Sequence, residues 1–181
     1  MSTNKKLSLE ELDRLEPEAF HAAPKLELVV VLDNVRSMHN VGAVFRTSDA
    51  FRIKEILLCG FTPLPPHRDI RKVAIGATET VSWRHESSAL DAISELQAQG
   101  FHLISIEQTE QSVSLAEFMP DPKGKYAVVF GNEVDGVNQE IVDKSDTCIE
   151  IAQFGTKHSL NVSVCAGIVL WSLSKAMDFK D

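Results

Sequence analysis

The sequence predicts an α/β fold, with a mainly parallel sheet and helices on both faces. Apolar runs of strand length recur along the chain, separated by segments with helical periodicity. The run from residue 26 to 32 is apolar almost throughout, which is typical of a strand buried on both faces. Alternating strands and helices favour parallel pairing, because parallel neighbours need a crossover connection. Ligands of such sheets gather at the carboxyl ends of the strands.

The chain is expected to form a helical extension over residues 1–25 and one domain over residues 26–181. Its 181 residues with 44% hydrophobic content are enough for one sizeable core. Ser8 and Glu11 have the spacing of a capping box, which predicts a short helix over residues 8–15. Leu9, Leu12 and Leu15 would lie on one side of that helix and pack on the domain or on a partner subunit.

The remaining elements are predicted, in order along the chain, from hydrophobic periodicity and from capping and turn residues. Strands are expected over residues 26–32, 55–60, 81–85, 101–107, 126–130 and 148–151. Helices are expected over residues 40–51, 87–100, 114–118, 138–144 and 159–177, the last beginning with Ser159, Leu160 and Asn161. The proline-rich segment 61–77 is interpreted as a loop.

Composition limits the classes of function. A formal charge of −8 argues against binding of nucleic acid by bulk positive potential, so any such partner would need a local basic patch. Cys59, Cys148 and Cys165 are odd in number and far apart, which indicates neither a disulfide framework nor a metal site. No signal peptide and no membrane span is recognisable. A cytoplasmic protein with no metal is therefore expected.

Three polar loops follow buried strands, over residues 36–46, 131–137 and 153–161, and a parallel sheet would bring them to one edge. Each loop taken alone has a structural explanation. Ser159 could be only a helix N-cap, and Asp135 with Gly136 could be only turn residues. The basic segment 67–72 could be a solvated loop, and the first loop lacks the glycines of a dinucleotide fingerprint.

The three loops also contain spaced motifs that occur in a fixed order. The motifs are Asn40-x-Gly42-Ala43-x-x-Arg46, Phe130-Gly131-Asn132-Glu133-x-x-Gly136 and Gly155-x-x-x-Ser159-Leu160-Asn161-Val162-Ser163. Together they resemble the motifs of the SpoU (TrmH-like) ribose methyltransferases of the SPOUT superfamily, over roughly residues 26–177. Chance agreement of three motifs in the right order is improbable, although each would be weak alone.

The resemblance implies a specific fold and activity. Members of this family have an α/β fold whose C-terminal segment threads a deep trefoil knot, a rare exception to the rule that chains do not knot. They bind S-adenosylmethionine in the knot and work as homodimers, with the active site near the subunit interface. They methylate the ribose 2′-oxygen in tRNA or rRNA.

The resemblance also assigns roles by motif position. Asn40 and Arg46 would act at the reacting ribose, Glu133 would be the carboxylate of the second motif, and Ser159 and Asn161 the polar pair of the third. The cofactor would be held by Phe130, Gly131, Asn132, Glu133, Ile151, Gln153, Phe154, Ser159 and Leu160. RNA would be bound by Arg46 and by the basic cluster His67, Arg68, Arg71 and Lys72.

One departure and two alternatives accompany the resemblance. Many relatives have Pro-Met where this chain has Ala152-Gln153, and the glutamine is similar to eukaryotic tRNA-modifying members, which favours tRNA. With only a short helix before residue 26, RNA binding would rest on the catalytic domain. A non-catalytic knotted RNA-binding module is the main alternative. An unrelated nucleotide-using α/β enzyme would leave the co-occurrence of the three motifs unexplained.

Overall fold

The computed structural model describes residues 4–8 and 10–179 and contains a seven-stranded sheet. The strand order is β3-β2-β1-β6-β4-β7-β5, and every pairing is parallel. The strands are β1 Leu26–Asp33, β2 Ile53–Cys59, β3 Trp83–Glu86, β4 His102–Ile106, β5 Val113–Ser114, β6 Tyr126–Phe130 and β7 Thr147–Glu150. The predicted parallel α/β fold is confirmed.

Helices cover both faces of this sheet. They are α1 Pro17–Ala22, α2 Met38–Ala50, α3 Arg68–Ala74, α4 Ala77–Thr80, α5 Ala89–Ala98, α6 Gln139–Lys144 and α7 Val162–Ala176. Alternate residues of β1 explain the two layers, because Val30 packs in a cluster with α1, α2, α3, α4 and α7, whereas Val31 packs in a cluster with α5 and α6. The central strand β1 is therefore apolar on both faces, as its sequence predicts.

Helices α2 and α3 approach each other closely at Gly42. A Cβ atom at Gly42 would lie 2.6 Å from the carbonyl oxygen of Ile70 and 3.0 Å from the Cβ of Val73. Ile70 and Ala74, four residues apart on α3, are buried at this contact layer. The absence of a side chain at Gly42 thus allows α2, which starts in the first polar loop, to lie close to α3, which carries the basic cluster.

We expect Gly42→Ala to destabilise the protein by about 1–3 kcal/mol, because the extra methyl group would push the α3 backbone away from α2. The measurement is the midpoint of urea unfolding at an unchanged slope. Gly42→Ser should lower the midpoint further, since it adds one more heavy atom to the same space. A midpoint equal to that of the wild type for both variants would contradict the close packing.

The helix predicted over residues 8–15 is mostly absent, whereas the unpredicted helix α1 forms over Pro17–Ala22. A 3₁₀ turn spans only Glu10–Leu12, although Ser8 and Glu11 do form the capping box, with the Ser8 N–H donating to Glu11 at 2.7 Å. Asp13 has a φ of 47°, which ends the turn, and Pro17 favours an extended residue before it. Leu12 and Leu15 are exposed rather than packed on the domain, and Leu9 lies outside the described residues.

Two other predictions were wrong. The basic segment interpreted as a loop forms α3, which begins after His67, whose Nδ1 accepts from the Asp69 N–H at 3.2 Å. The helix expected over residues 114–118 is instead the short strand β5 followed by a turn. The Leu115 N–H donates to the Glu150 carbonyl oxygen at 2.8 Å, so sheet pairing outweighs one costly helical turn.

The described part of the chain has no helix with the length and apolar character needed to cross a bilayer. Within the same residues, no group of three or more His, Cys, Asp or Glu side chains could hold a metal ion. All three cysteines are free thiols. Burial, together with the nearby Asp33 and Glu86, raises the pKa of Cys59 to about 12, so this thiol is unreactive at neutral pH.

Candidate active site

The loops after β1, β6 and β7 meet at the carboxyl edge of the sheet. The Asn40 side-chain amide donates to Glu133 Oε1 at 2.9 Å, and Asn40 Oδ1 accepts from the Asn161 amide at 3.1 Å. One residue of each predicted motif is thus joined to the next. The predicted meeting of the three loops is confirmed, and it depends on parallel strands that all end on the same side.

Glu133 accepts three hydrogen bonds at this junction. Besides Asn40, its carboxylate accepts from the backbone N–H of Arg36 at 3.0 Å and of Ser37 at 3.2 Å. Burial alone would raise the pKa of Glu133, but these hydrogen bonds outweigh burial and lower it below its ordinary value. The carboxylate is therefore charged and fixes the loop after β1 against the loop after β6.

Helix α2 begins directly beside this network. Ser37 is the N-cap, and its hydroxyl accepts from the Asn40 N–H at 3.3 Å. Asn40 is only 9% exposed, so its amide is held between two partners and is not free to turn toward solvent. The first turn of α2 therefore presents an oriented amide, and the helix axis starts at the junction of the three loops.

The loop after β6 is tightly closed on itself. Asn132 and Gly136 exchange backbone hydrogen bonds at 3.2 and 3.1 Å, and Asn132 Oδ1 accepts from the N–H groups of Val134 and Asp135, both at 2.9 Å. A Cβ atom at Gly131 would lie 1.9 Å from the Gly136 carbonyl carbon, so only glycine fits there. The loop is a preformed turn that aims Glu133 at α2.

Helix α7 begins at Val162, three residues later than predicted. Its N-cap is Asn161, whose Oδ1 accepts from the Ser163 N–H at 2.9 Å and the Val164 N–H at 3.4 Å. The prediction that Ser159 is the first helical residue was wrong, because the asparagine side chain reaches the free N–H groups and ends the preceding extended segment. Asn161 therefore both caps α7 and bonds to Asn40.

A cavity of about 640 Å³ opens between the loops after β4, β6 and β7. This volume lies within the range of small-molecule sites. The sequence-predicted residues that line it are Phe130, Gly131, Asn132, Glu133, Ile151, Gln153, Ser159, Leu160 and Asn161. Its remaining walls combine apolar side chains such as Ile106 and Val162 with the carboxylates of Glu107, Asp135 and Glu150. Among the described residues of this lining, none is a lysine or an arginine.

Two residues that sequence reasoning missed join the end of β4 to the loops around the cavity. Strand β4 lies between β6 and β7, and its end is followed by Glu107 and Gln108. Glu107 accepts from the Val137 N–H at 3.0 Å, in the loop after β6. Gln108 donates to the His158 carbonyl oxygen at 2.9 Å, in the loop after β7. A polar pair at a strand end was the signal, and the same reasoning that found the other loops could have found it.

Some predicted residues lie outside the cavity. Phe154 is 98% exposed, and Arg46 is exposed on α2, about 240° around the helix from Asn40. Neither residue lines the cavity within the described chain, and nor do the members of the basic cluster His67, Arg68, Arg71 and Lys72 on α3. Cys165 does line it, but burial, followed by the charge of Glu107, raises its pKa to about 11, so it is not a nucleophile at neutral pH.

Parallel α/β sheets bind ligands at their carboxyl edge, and this sheet carries there a carboxylate–amide–amide network of Glu133, Asn40 and Asn161, which is the arrangement of a ligand-binding α/β protein. The model of the SpoU rRNA Methylase family matches residues 27–171. The chain therefore belongs to the SpoU family, and the resemblance found in its motifs is confirmed.

Individual relatives agree with the family. The chain is 33% identical over 143 residues to the 23S rRNA (guanosine-2′-O-)-methyltransferase of Neisseria meningitidis, covering 79% of this chain and 56% of that protein. It is similar to the TrmH/SpoU tRNA modifying enzyme of Aquifex aeolicus, with a TM-score of 0.76 and 28% identity over 84% of this chain and 76% of that one. An AdoMet-bound rRNA methyltransferase from Sinorhizobium meliloti gives a TM-score of 0.77 at 25% identity, over 86% and 59% of the two chains.

Proposed function

We propose that this protein transfers a methyl group from S-adenosylmethionine to a ribose 2′-hydroxyl in tRNA or rRNA. The observation that carries the proposal is the Glu133–Asn40–Asn161 network beside the cavity, in a chain of the SpoU family. The relatives named above act on 23S rRNA and on tRNA, and they leave the choice of RNA open. The glutamine at position 153 favours tRNA.

The lining of the cavity fits S-adenosylmethionine. Apolar side chains such as Phe130 and Ile149 suit an adenine ring, and the carboxylates of Glu107 and Glu150, in a described lining without lysine or arginine, suit a cationic sulfonium. When bound, this cofactor supplies an electrophilic methyl group. Leu160, Gln153 and the backbone of residues 130–133 would hold it, and Ser159 with Asn161 would border the reacting end. Phe154, at present exposed, would approach the cofactor only if the loop 152–161 closed over it.

The roles of the network residues follow from their contacts. Methyl transfer needs the ribose oxygen held in line with the methyl group while its proton leaves. Glu133 fixes Asn40, and Asn40 and Asn161 orient each other, so these side chains position the ribose. An arginine guanidinium is a poor base, because it does not give up its proton in proteins. Arg46 would instead hold the adjoining phosphate and stabilise the developing alkoxide, with that phosphate or a water accepting the proton.

We also propose a homodimer with its active site near the subunit interface. One face of the segment that runs into α7 carries Leu160, Val164, Ile168 and Trp171, all large apolar residues that are 36–53% exposed. They recur at helical spacing and form an apolar stripe, which a second copy of this chain would cover. Because Arg46 lies outside the cavity of its own chain, it would serve the cavity of the partner subunit.

The C-terminal segment is proposed to thread a trefoil knot. Helix α7 packs on α2, although β7 lies three strands away from β1 in the sheet. On the same face runs the connection from β5 to β6, and the Asp178 N–H donates to the Pro122 carbonyl oxygen of that connection at 2.8 Å. A segment that passes beneath this connection would account for both contacts. We further propose that residues 26–181 form one methyltransferase domain, with residues 1–25 as its extension. The proposed location of the protein is the cytoplasm.

RNA binding is assigned to Arg46 and to α3. Arg68, Arg71 and Lys72 are exposed on this helix, and His67 caps it. In a chain with a formal charge of −8, they form a local basic patch of the kind that phosphate contacts require. Helix α3 packs on α2, so the patch lies beside the helix that carries Asn40 and Arg46.

Calorimetric titration with S-adenosylmethionine and S-adenosylhomocysteine tests the cofactor site. We expect saturable binding to the wild type and binding weakened about 5- to 100-fold in Asn161→Ala, which loses the cap of α7 and the bond to Asn40. Ser88→Ala is the matched control. It removes an N-cap of the same kind from α5, where Ser88 accepts from the Asp91 N–H at 3.2 Å, and should leave both affinities unchanged.

Two results would redirect the proposal. Equal affinity in the wild type and Asn161→Ala would mean that the third motif does not contact the cofactor. If neither ligand bound the wild type while RNA did, the non-catalytic RNA-binding module would be favoured. Transfer of tritiated methyl groups to total RNA, followed by digestion to nucleosides, distinguishes an enzyme from such a module, because only the enzyme yields 2′-O-methylnucleosides.

A further inference from the structure

An exposed aromatic residue, Phe61, is presented by a rigid turn at the carboxyl end of β2. Phe61 is 58% exposed. Hydrogen bonds to two neighbouring segments nevertheless fix the turn. The Phe61 N–H donates to Asn34 Oδ1 at 3.1 Å, and the preceding Gly60 N–H donates to the Glu86 carbonyl oxygen at 2.9 Å. The next residue, Thr62, is 2% exposed. A fixed backbone that holds an apolar ring in solvent does not serve the core.

Thr62 explains why the turn is rigid. Its hydroxyl donates to the Cys59 carbonyl oxygen at 2.7 Å and accepts from the Val35 N–H at 3.1 Å. The turn after β2 is thereby joined to the loop after β1, which also carries Asn34. Two neighbouring loops thus fix the position of the Phe61 ring relative to the active-site edge.

Arg36 connects this ring to the active-site network. Its guanidinium carbon lies 5.8 Å from the centroid of the Phe61 ring, within range of a cation–π interaction. Its guanidinium is also 4.0 Å from the Asp135 carboxylate, and its backbone N–H donates to Glu133 at 3.0 Å. The Arg36 side chain is 56% exposed. A planar cation and an aromatic ring therefore lie together in solvent, and the residue that carries the cation also contacts Glu133.

We propose that Phe61 and Arg36 form a stacking site for an unpaired nucleobase of the RNA substrate, beside the target ribose. Unpaired bases are bound by stacking on aromatic rings and arginine planes, and such stacking tolerates any base. The site adjoins the cavity through Glu133, and the basic helix α3 begins seven residues after Phe61. The stacking site rests on the proposed RNA methyltransferase function and adds a base contact to the phosphate contacts assigned to α3.

The molecule contains a chemically matched pair elsewhere. The Arg52 guanidinium carbon lies 3.7 Å from the centroid of the Phe179 ring, and Phe179 is 43% exposed. Arg52 precedes β2, whereas Phe61 follows it, so the two pairs lie at opposite edges of the sheet. Exposure and chemistry are similar in the two pairs, and proximity to the active site differs.

The experiment uses the full chain with two probes, unfractionated tRNA and total rRNA. The variants are Phe61→Ala, Phe61→Leu and Phe61→Trp, with the same three substitutions at Phe179 as controls. We expect Phe61→Ala and Phe61→Leu to bind the RNA about 5- to 100-fold more weakly than the wild type. Phe61→Trp should retain the affinity, because indole also stacks. The three Phe179 variants should bind RNA as the wild type does.

A spectroscopic readout separates stacking from a structural effect. Saturation with RNA should quench the added emission of Phe61→Trp beyond the response of Trp83 and Trp171 in the wild type, and should not quench that of Phe179→Trp. Calorimetric affinity for S-adenosylmethionine should be the same in all variants. Unchanged RNA affinity in Phe61→Ala, or unquenched emission in Phe61→Trp, would overturn the stacking site.

The failure of each proposal has its own signature. A wild type that binds S-adenosylmethionine but neither RNA overturns the stacking site and leaves the cofactor site standing. A wild type that binds RNA through Phe61 but not S-adenosylmethionine supports the stacking site and rejects the methyltransferase. Weakened RNA binding without quenching would mean that Phe61 contacts something other than a base, which also overturns the proposal.

Discussion

Arg46→Ala should reduce methyl transfer by at least about 10²–10³-fold while cofactor affinity stays close to that of the wild type, since the change removes the group proposed to stabilise the developing alkoxide. Arg46 is exposed and does not line the cavity, so its loss leaves the cofactor contacts in place. The measurement is a single-turnover assay with the enzyme in excess over the total RNA and with tritiated S-adenosylmethionine at a saturating concentration. Turnover retained in Arg46→Ala would reject both the phosphate role and a role as base.

Arg46→Lys separates electrostatics from geometry. A lysine keeps the charge but presents a single ammonium in place of the planar fork that matches a phosphate. We expect partial recovery relative to Arg46→Ala. Recovery to the wild-type rate would mean that a point charge is sufficient at this position.

Mixed dimers test which subunit Arg46 serves. If it serves the partner subunit, a heterodimer of Arg46→Ala and Asn161→Ala chains has one site with both defects and one intact site. At a cofactor concentration too low to saturate Asn161→Ala, random mixing of the two impaired variants would then restore about a quarter of the wild-type activity. If Arg46 acts in its own subunit, every site has a defect and the mixture stays inactive. A monomer in sedimentation would contradict the proposed dimer directly.

Glu133→Gln should lower turnover by about 10²-fold, because one carboxylate orients both Asn40 and the loop that begins α2. The amide keeps the size of the side chain but replaces one acceptor oxygen with a donor that faces other donors. Displacement of a reacting group by about 1 Å is enough for a loss of this size. Glu79→Gln, which makes the same change of charge on the exposed surface of α4, is the control and should leave turnover unchanged.

The same carboxylate makes stability depend on pH. The pKa of Glu133 is lowered in the folded protein by its hydrogen bonds, despite burial. Its contribution to the free energy of unfolding is therefore present above the ordinary carboxyl pKa and is lost as the pH falls through the lowered one. The difference in that free energy between wild type and Glu133→Gln should shrink across this acidic range. A difference that stayed constant would mean that the charge of Glu133 contributes nothing.

The fold was predictable because its signals are local and strong. A strand that is buried on both faces must be apolar at successive positions, and the run 26–32 satisfies this without knowledge of its neighbours. The meeting of Asn40, Glu133 and Asn161 followed from parallel pairing alone, since parallel strands end on one side. Their hydrogen bonds could not be predicted, because the partners lie 93 and 121 residues apart.

Two of the wrong predictions share a cause, because in each a tertiary contact decided between two local options. Segment 67–72 is helical because Ile70 and Ala74 bury one side against α2, which the polar pattern did not reveal. Residues 114–118 pair with β7 and do not form a turn of helix. The Arg36–Phe61 contact joins two loops, and no spacing within either loop predicts it.

The order of the strands also has a consequence for how the protein folds. Strand β4 precedes β6 and β7 in the chain but lies between them in the sheet. Glu107 and Gln108, which follow β4, therefore have no hydrogen-bond partners in the later loops until both later strands have joined the sheet. The last described helix then supplies the asparagine that completes the network. Such long-range closure is slow relative to local helix formation. Cofactor affinity would therefore appear late in refolding, after sheet formation, and a ligand that binds only the closed network would pull the final step to completion.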